Sequence, residues 1–142
     1  MKNKKGKLLM LILIVATLVF SGFALPTKAD AALTGWKNVK TGGQVRIYTD
    51  YTTYTSKATS VDTYIQSNGK TGTLYYSGII NSGEQSGANS ITGSFSSQSP
   101  VKQLKFLKGG PWKGTFFVTY FLYSDAKHTK YIGSVSATLN GK

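Results

Sequence analysis

Few residues of this 142-residue chain could carry covalent chemistry. It has one histidine, His128, and five acids: Asp30, Asp50, Asp62, Glu84 and Asp125. A hydrolytic triad would set His128 against a serine and a carboxylate. His128 lies instead in the polar stretch 124–130 (SDAKHTK), with Asp125 three residues before it and Lys127 and Lys130 beside it. No serine stands in a nucleophile elbow. That pattern reads as a solvated turn. Glycosidase chemistry needs two carboxyl groups facing each other across a cleft. Asp50 and Asp62 are the only acids in strand-like stretches, and both alternate outward with polar neighbours. With no cysteine, one histidine and dispersed acids, the chain lacks the ligands for a closed transition-metal site or a calcium cluster. Gly69-Lys70-Thr71 ends like a phosphate loop, but Tyr64 stands where the first glycine is required. The expectation is a non-enzyme with no catalytic residue, metal ligand or cofactor.

The chemistry that remains is charge and aromatic surface. Basic residues are densest in 102–113, where Lys102, Lys105, Lys108 and Lys113 surround Gly109-Gly110-Pro111-Trp112. An indole flanked by ammonium groups suits an anionic surface: the ring enters the interface while the charges meet phosphate or carboxylate. Lys102, Lys105, Lys108, Trp112 and Lys113 are therefore the expected binding residues. A plainer reading makes the same lysines guards of an edge strand. Lys102 and Lys105 would project from opposite faces of that strand. Tyr48, Tyr64 and Tyr75 fall on the opposite parity to the aliphatic residues of their strands. Two sheets packed together would make these rings core, and that is the reading preferred here. The alternative is an aromatic stripe of the kind that receives sugar rings.

The elements that position these residues begin after a leader. Met1 to Lys7 carries four lysines and no acid, Leu8 to Phe20 is almost purely apolar, and Ala29-Asp30-Ala31 offers a small-x-small cleavage site. This order is that of a secretory signal peptide. The apolar run is shorter than the ~20 residues that span a bilayer. Residues 1–31 are thus expected to be removed, leaving 32–142 as one secreted domain. Five of the 17 Lys and Arg and one of the five acids lie in the leader, leaving 12 bases, four acids and a formal net of +8. Without cysteine, the domain must be held by burial and strand pairing.

Period-two alternation runs through the rest. Val45, Ile47 and Thr49 alternate with Arg46, Tyr48 and Asp50, and Val61, Thr63 and Ile65 with Asp62, Tyr64 and Gln66. Asn68-Gly69 reads as a tight hairpin turn into the strand carrying Leu74, Tyr76 and Ile80. Residues 81–90 (NSGEQSGANS) read as a loop, and 91–95, 101–108 and 131–139 as further strands. Thr115 to Tyr123 (TFFVTYFLY) is apolar on both faces, as a central strand covered above and below would be. Its Phe116, Val118 and Tyr120 are expected core. Strands with turns every ~8–12 residues indicate an all-β, small single-domain antiparallel β-sandwich, with a small β-barrel as alternative.

No motif ties the chain to a family. Its Tyr-, Gly- and Lys-rich composition resembles that of some secreted bacteriocins, without a shared motif. The function expected is a secreted, non-catalytic basic β-domain. Its partner would be an anionic cell-wall polymer, a glycan or a membrane surface. The alternatives are an antimicrobial or membrane-active protein and, more weakly, an enzyme inhibitor. Nucleic acid is not expected as a partner: the chain is read as exported, has the single arginine Arg46 and lacks any recognition helix. The residues leave its oligomeric state open.

Overall fold

The structure is a computed structural model and describes residues 31–82, 89–107 and 110–142. The expected leader (apart from Ala31), the middle of the 81–90 loop and Lys108 lie outside the described residues.

The described residues form ten strands in two five-stranded sheets. The first is ordered β1-β3-β5-β8, with β2 also paired to β3. Its members are β1 (Ala32–Leu33), β2 (Lys37–Asn38), β3 (Gln44–Thr49), β5 (Ser60–Ser67) and β8 (Lys102–Lys105). The second is ordered β4-β10-β9-β6-β7. It comprises β4 (Thr53–Tyr54), β6 (Leu74–Asn81), β7 (Ile91–Phe95), β9 (Gly114–Tyr123) and β10 (Tyr131–Gly141). The architecture is the expected all-β sandwich. One pairing departs from the antiparallel rule: β4 runs parallel to the end of β10, with Thr53 opposite Asn140 and Tyr54 opposite Gly141.

The alternation in the sequence becomes alternation of burial. In β5, Val61, Thr63, Ile65 and Ser67 are buried while Ser60, Asp62, Tyr64 and Gln66 are half-covered. Inward residues of both sheets meet in one core that includes Val45, Ile47, Ile65, Leu104, Leu74, Tyr76, Phe116, Tyr120 and Leu139. Tyr120 crosses this core and donates its hydroxyl to Thr63 Oγ1 of the opposite sheet at 3.3 Å. Thr63 Oγ1 in turn donates to the Tyr48 carbonyl at 2.7 Å. Phe116, Val118 and Tyr120 are fully buried, as expected of core residues.

Two expectations are corrected. Asn68-Gly69 does not close a hairpin, because β5 pairs with β3 and β8 whereas β6 pairs with β7 and β9. The turn carries the chain from one sheet to the other. Its positive-φ glycine, Gly69 at 82°, serves that corner. Asn68 Oδ1 accepts from the Gln44 amide and the Lys70 amide, which ties the corner to the start of β3. Strand β9 is central in its sheet, as expected, but covered on one face only. Phe117, Phe121 and Tyr123 project to the other face and are half-buried among their own neighbours. A run apolar on both faces therefore marks an aromatic outer surface here, not a third layer.

Candidate functional site

The outer face of the first sheet is organised in rows across the strands. Leu33 stands opposite Tyr48, and Tyr48 opposite Tyr64. The two tyrosine rings are stacked, with centroids 4.6 Å apart and planes 12° from parallel. Leu33 beside them is 50% exposed. The preferred sequence reading, that a second sheet buries Tyr48 and Tyr64, is overturned: the sheets meet on the aliphatic parity, and both rings lie half-exposed on the opposite face. Tyr75 likewise faces outward from the second sheet, opposite Tyr123.

One row away, Arg46 stands opposite Gln66 and donates its Nε–H to Gln66 Oε1 at 2.8 Å. Its guanidinium carbon lies 4.4 Å from the centre of the Trp36 ring. The indole, 38% exposed, and the arginine thus hold each other in place by cation–π attraction. No sequence spacing marks Trp36 for this role, since it precedes β2 and meets Arg46 only through the β2–β3 pairing.

On the other side of the tyrosine row, Asp62 stands opposite Gln103, which donates Nε2–H to Asp62 Oδ1 at 3.2 Å. Asp50 Oδ1 accepts from the Tyr54 hydroxyl at 2.6 Å and from the Asp62 amide at 3.1 Å. The last row pairs Ser60 with Lys105. Successive rows are about 6.6 Å apart along a strand, so aromatic surface and ammonium charge stand ~13 Å from each other on one face.

Strand β8 is the edge of this sheet, and both Lys102 and Lys105 are exposed. They leave the strand on opposite faces: Lys105 shares the outer face, while Lys102 shares the parity of buried Leu104. The edge is capped by one side chain. Asn89 Oδ1 accepts from the Lys105 amide at 2.6 Å and Asn89 Nδ2 donates to the Gln103 carbonyl at 3.2 Å, standing in for a neighbouring strand. Lys113 is exposed. Trp112 is partly buried against the core, its ring 6.3 Å from that of Phe116. Its carbonyl is pressed so closely on Gly141 that a Cβ there would collide with it. Structure thus brings Lys105 to the aromatic face, leaves Lys102 at its edge and puts Lys113 beside the end of β10. Trp112 serves as an anchor of its loop.

Among the described residues, no lysine or arginine pairs with a carboxylate. The residues weighed for catalysis are engaged elsewhere. Asp125 accepts from the Lys130 amide at 2.6 Å, the Thr129 amide at 3.1 Å and the Thr129 hydroxyl at 2.8 Å. This clasps the β9–β10 turn. His128, with φ 55°, stacks face to face on Tyr123 at 4.6 Å, so it is partly covered where the sequence suggested a solvated ring. Among the described residues, no three of His, Cys, Asp or Glu could together hold a metal ion.

The model of the YqgA MG2 macroglobulin domain matches residues 29–139. The chain belongs to this family. It is 38% identical over 123 residues to the cell wall-binding protein YqgA of Bacillus subtilis, covering 79% of this chain and 83% of the relative. No solved structure matches. The family match spans both sheets, so the aromatic rows and the lysine edge all lie within the shared domain.

Proposed function

We propose that this protein is exported and binds a polymer of the cell wall without catalysis, using the outer face of the first sheet. The observation that carries this reading is the row formed by Leu33, Tyr48 and Tyr64, flanked by the Trp36–Arg46 pair. The stacked rings form an apolar ridge on a rigid sheet, its edges and hydroxyls open to sugar rings, while Gln66, Gln103 and Asp62 beside it supply hydrogen-bonding groups. The cell wall-binding relative supports the same class of partner.

Lys102, Lys105 and Lys113, with Lys108 in the same stretch of sequence, add attraction to an anionic polymer. Such attraction acts over ~10 Å at 0.1 M salt and weakens as salt rises. Trp112 contributes by holding its loop against Phe116. Co-sedimentation with purified walls tests the proposal. Wild-type protein should pellet with walls at low salt, and a Tyr48→Ala/Tyr64→Ala variant that remains folded should stay largely in solution. Equal pelleting of the two would remove the aromatic row from the site. No pelleting of wild type would remove wall binding altogether.

A further inference from the structure

Beyond the Ser60–Lys105 row, the aromatic face runs directly into an open groove of about 340 Å³. This lies at the small end of the ~300–1,000 Å³ typical of small-ligand sites. Its lining combines the hydroxyl-bearing Thr53, Thr55, Thr59 and Ser60 with Lys57, Ala58, half-exposed Tyr51 and buried Tyr54. Among the described residues, no carboxylate is part of the lining. Asp50 and Asp62 flank the lining in sequence; Asp50 Oδ1 is held by the Tyr54 hydroxyl and the Asp62 amide, and Asp62 Oδ1 by Gln103.

The backbones of four lysines from separate segments run close to this groove, one of them in its lining. Lys57 is part of the lining. Lys105 is the cross-strand partner of Ser60, and side chains so paired have Cβ atoms ~5 Å apart. Lys142 donates its amide to the Tyr54 carbonyl at 2.9 Å, which holds its backbone beside that residue. Lys113 precedes Gly114, the partner of Gly141, which is itself the partner of Tyr54.

We propose that this groove is the subsite for an anionic group of the wall polymer, the phosphodiester of a polyol-phosphate chain. The proposal rests on the wall-binding reading and deepens it. Dispersed ammonium point charges with flexible stems suit a tetrahedral phosphate with several acceptor oxygens. An arginine fork grips carboxylate and phosphate alike, whereas lysines meet phosphate as point charges. The only arginine, Arg46, lies at the far side of the aromatic row and is committed to Gln66 and Trp36. The hydroxyl lining supplies donors to phosphate oxygens and acceptors for polyol hydroxyls. An extended polymer would therefore lie along β5, its sugars on the tyrosines and its phosphates toward Lys57.

The probe is poly(glycerol phosphate) coupled to resin, with the purified protein applied at low salt. Retention is expected, with affinity weakened about fivefold by Lys57→Gln and about tenfold or more by Lys57→Glu. Lys130→Glu is the control, because it changes net charge equally but lies by the opposite end of β10. The two ends of that strand are about 33 Å apart, several screening lengths, so its effect should stay below about twofold. Equal losses for Lys57→Glu and Lys130→Glu would overturn the groove assignment, as would failure of wild type to bind the polymer. Stronger retention on phosphatidylglycerol vesicles than on the polymer would assign the groove to lipid headgroups instead and overturn it too. Walls stripped of polyol phosphate separate this proposal from wall binding itself. If stripped and intact walls bind equally, the groove proposal falls and wall binding stands. If the polymer binds while intact walls do not, wall binding falls and the groove stands.

Discussion

Tyr48 and Tyr64 lie face to face on the outside of the sandwich, with their ring centres 4.6 Å apart. Both belong to strands whose other parity is fully buried, so the backbone beneath them is rigid. Rings held this way lose little freedom on meeting a ligand, which favours binding. An aromatic pair is worth about 0.5–1.5 kcal/mol beyond its area. Tyr64→Ala should therefore cost only modest stability while lowering the fraction bound to walls. Lys105→Gln should instead leave stability unchanged and flatten the salt dependence of binding. Chemical denaturation alongside wall co-sedimentation at two salt concentrations checks both.

Phe116 and Phe117 are adjacent in β9 and point to opposite faces. Phe116 is fully buried against Tyr54, Phe106 and Trp112, whereas Phe117 is half-buried on the outer face. Phe116→Ala should destabilise by about 3–5 kcal/mol. Phe117→Ala should cost clearly less, because no second layer closes over it. Equal losses by urea denaturation would mean that something covers the outer face.

Tyr76 and Tyr120 make a similar contrast in hydroxyl chemistry. The Tyr76 hydroxyl is buried without a hydrogen-bond partner. Ser99 stands toward it and keeps one acceptor lone pair free beyond its bonds to the Pro100 carbonyl and the Ile65 amide, but no well-formed bond joins the two hydroxyls. Tyr76→Phe removes a stranded polar atom and should be neutral or stabilising. Tyr120→Phe breaks the bond to Thr63 and should cost about 1 kcal/mol. Thermal melts of the two variants should shift in different directions or by clearly different amounts.

Burial raises the pKa of Tyr120 above the ordinary tyrosine value, and burial followed by the hydrogen bond to Asp50 raises that of Tyr54. A folded-state pKa above the unfolded one gives stability that is full below the unfolded value and is lost as pH rises toward the folded one. The fold should hold steady up to about pH 10 and then lose roughly 1.4 kcal/mol per pH unit for each of these tyrosines. Tyr120→Phe should make the decline shallower. An alkaline denaturation series measures this, and an unchanged slope would show that Tyr120 ionises as readily folded as unfolded.

Asp125 titrates in the opposite sense. Desolvation, the largest single effect, raises its pKa, but the amides of Lys130, Thr129 and Lys127 and the Thr129 hydroxyl together outweigh it, leaving a net lowering. The turn's stabilisation is therefore present above the ordinary carboxylate pKa and disappears as pH falls through the lowered one. Amide exchange at Thr129 and Lys130 should speed up on acidification, and Asp125→Ala should show that faster exchange at neutral pH. Protection unchanged in the variant would mean that strand pairing alone holds the turn.

Much of the fold was legible in the chain. Alternation of period two in 45–51, 61–66 and 131–139 identified the strands and divided their residues between two faces, because a strand has only two. The same alternation and the absence of cysteine defined an all-β domain held by burial. The lysines of 102–105 were readable as edge residues, since a ladder with one free side selects charge there.

The partners of those strands were decided only by tertiary structure. Asn68-Gly69 permits a sharp turn but says nothing about whether the next strand pairs with the last or joins another sheet. That choice belongs to Tyr76, Tyr120 and Thr63, whose packing across the core links residues far apart in sequence. The same holds for the candidate site. Tyr48, Tyr64 and Lys105 come from three different strands, Trp36 reaches Arg46 through a fourth, and the groove forms where the chain between β4 and β5 meets Lys105. Parity along one strand told which residues share a face. Whether that face meets another sheet or an open surface depends on how two sheets pack, and no single strand carries that information.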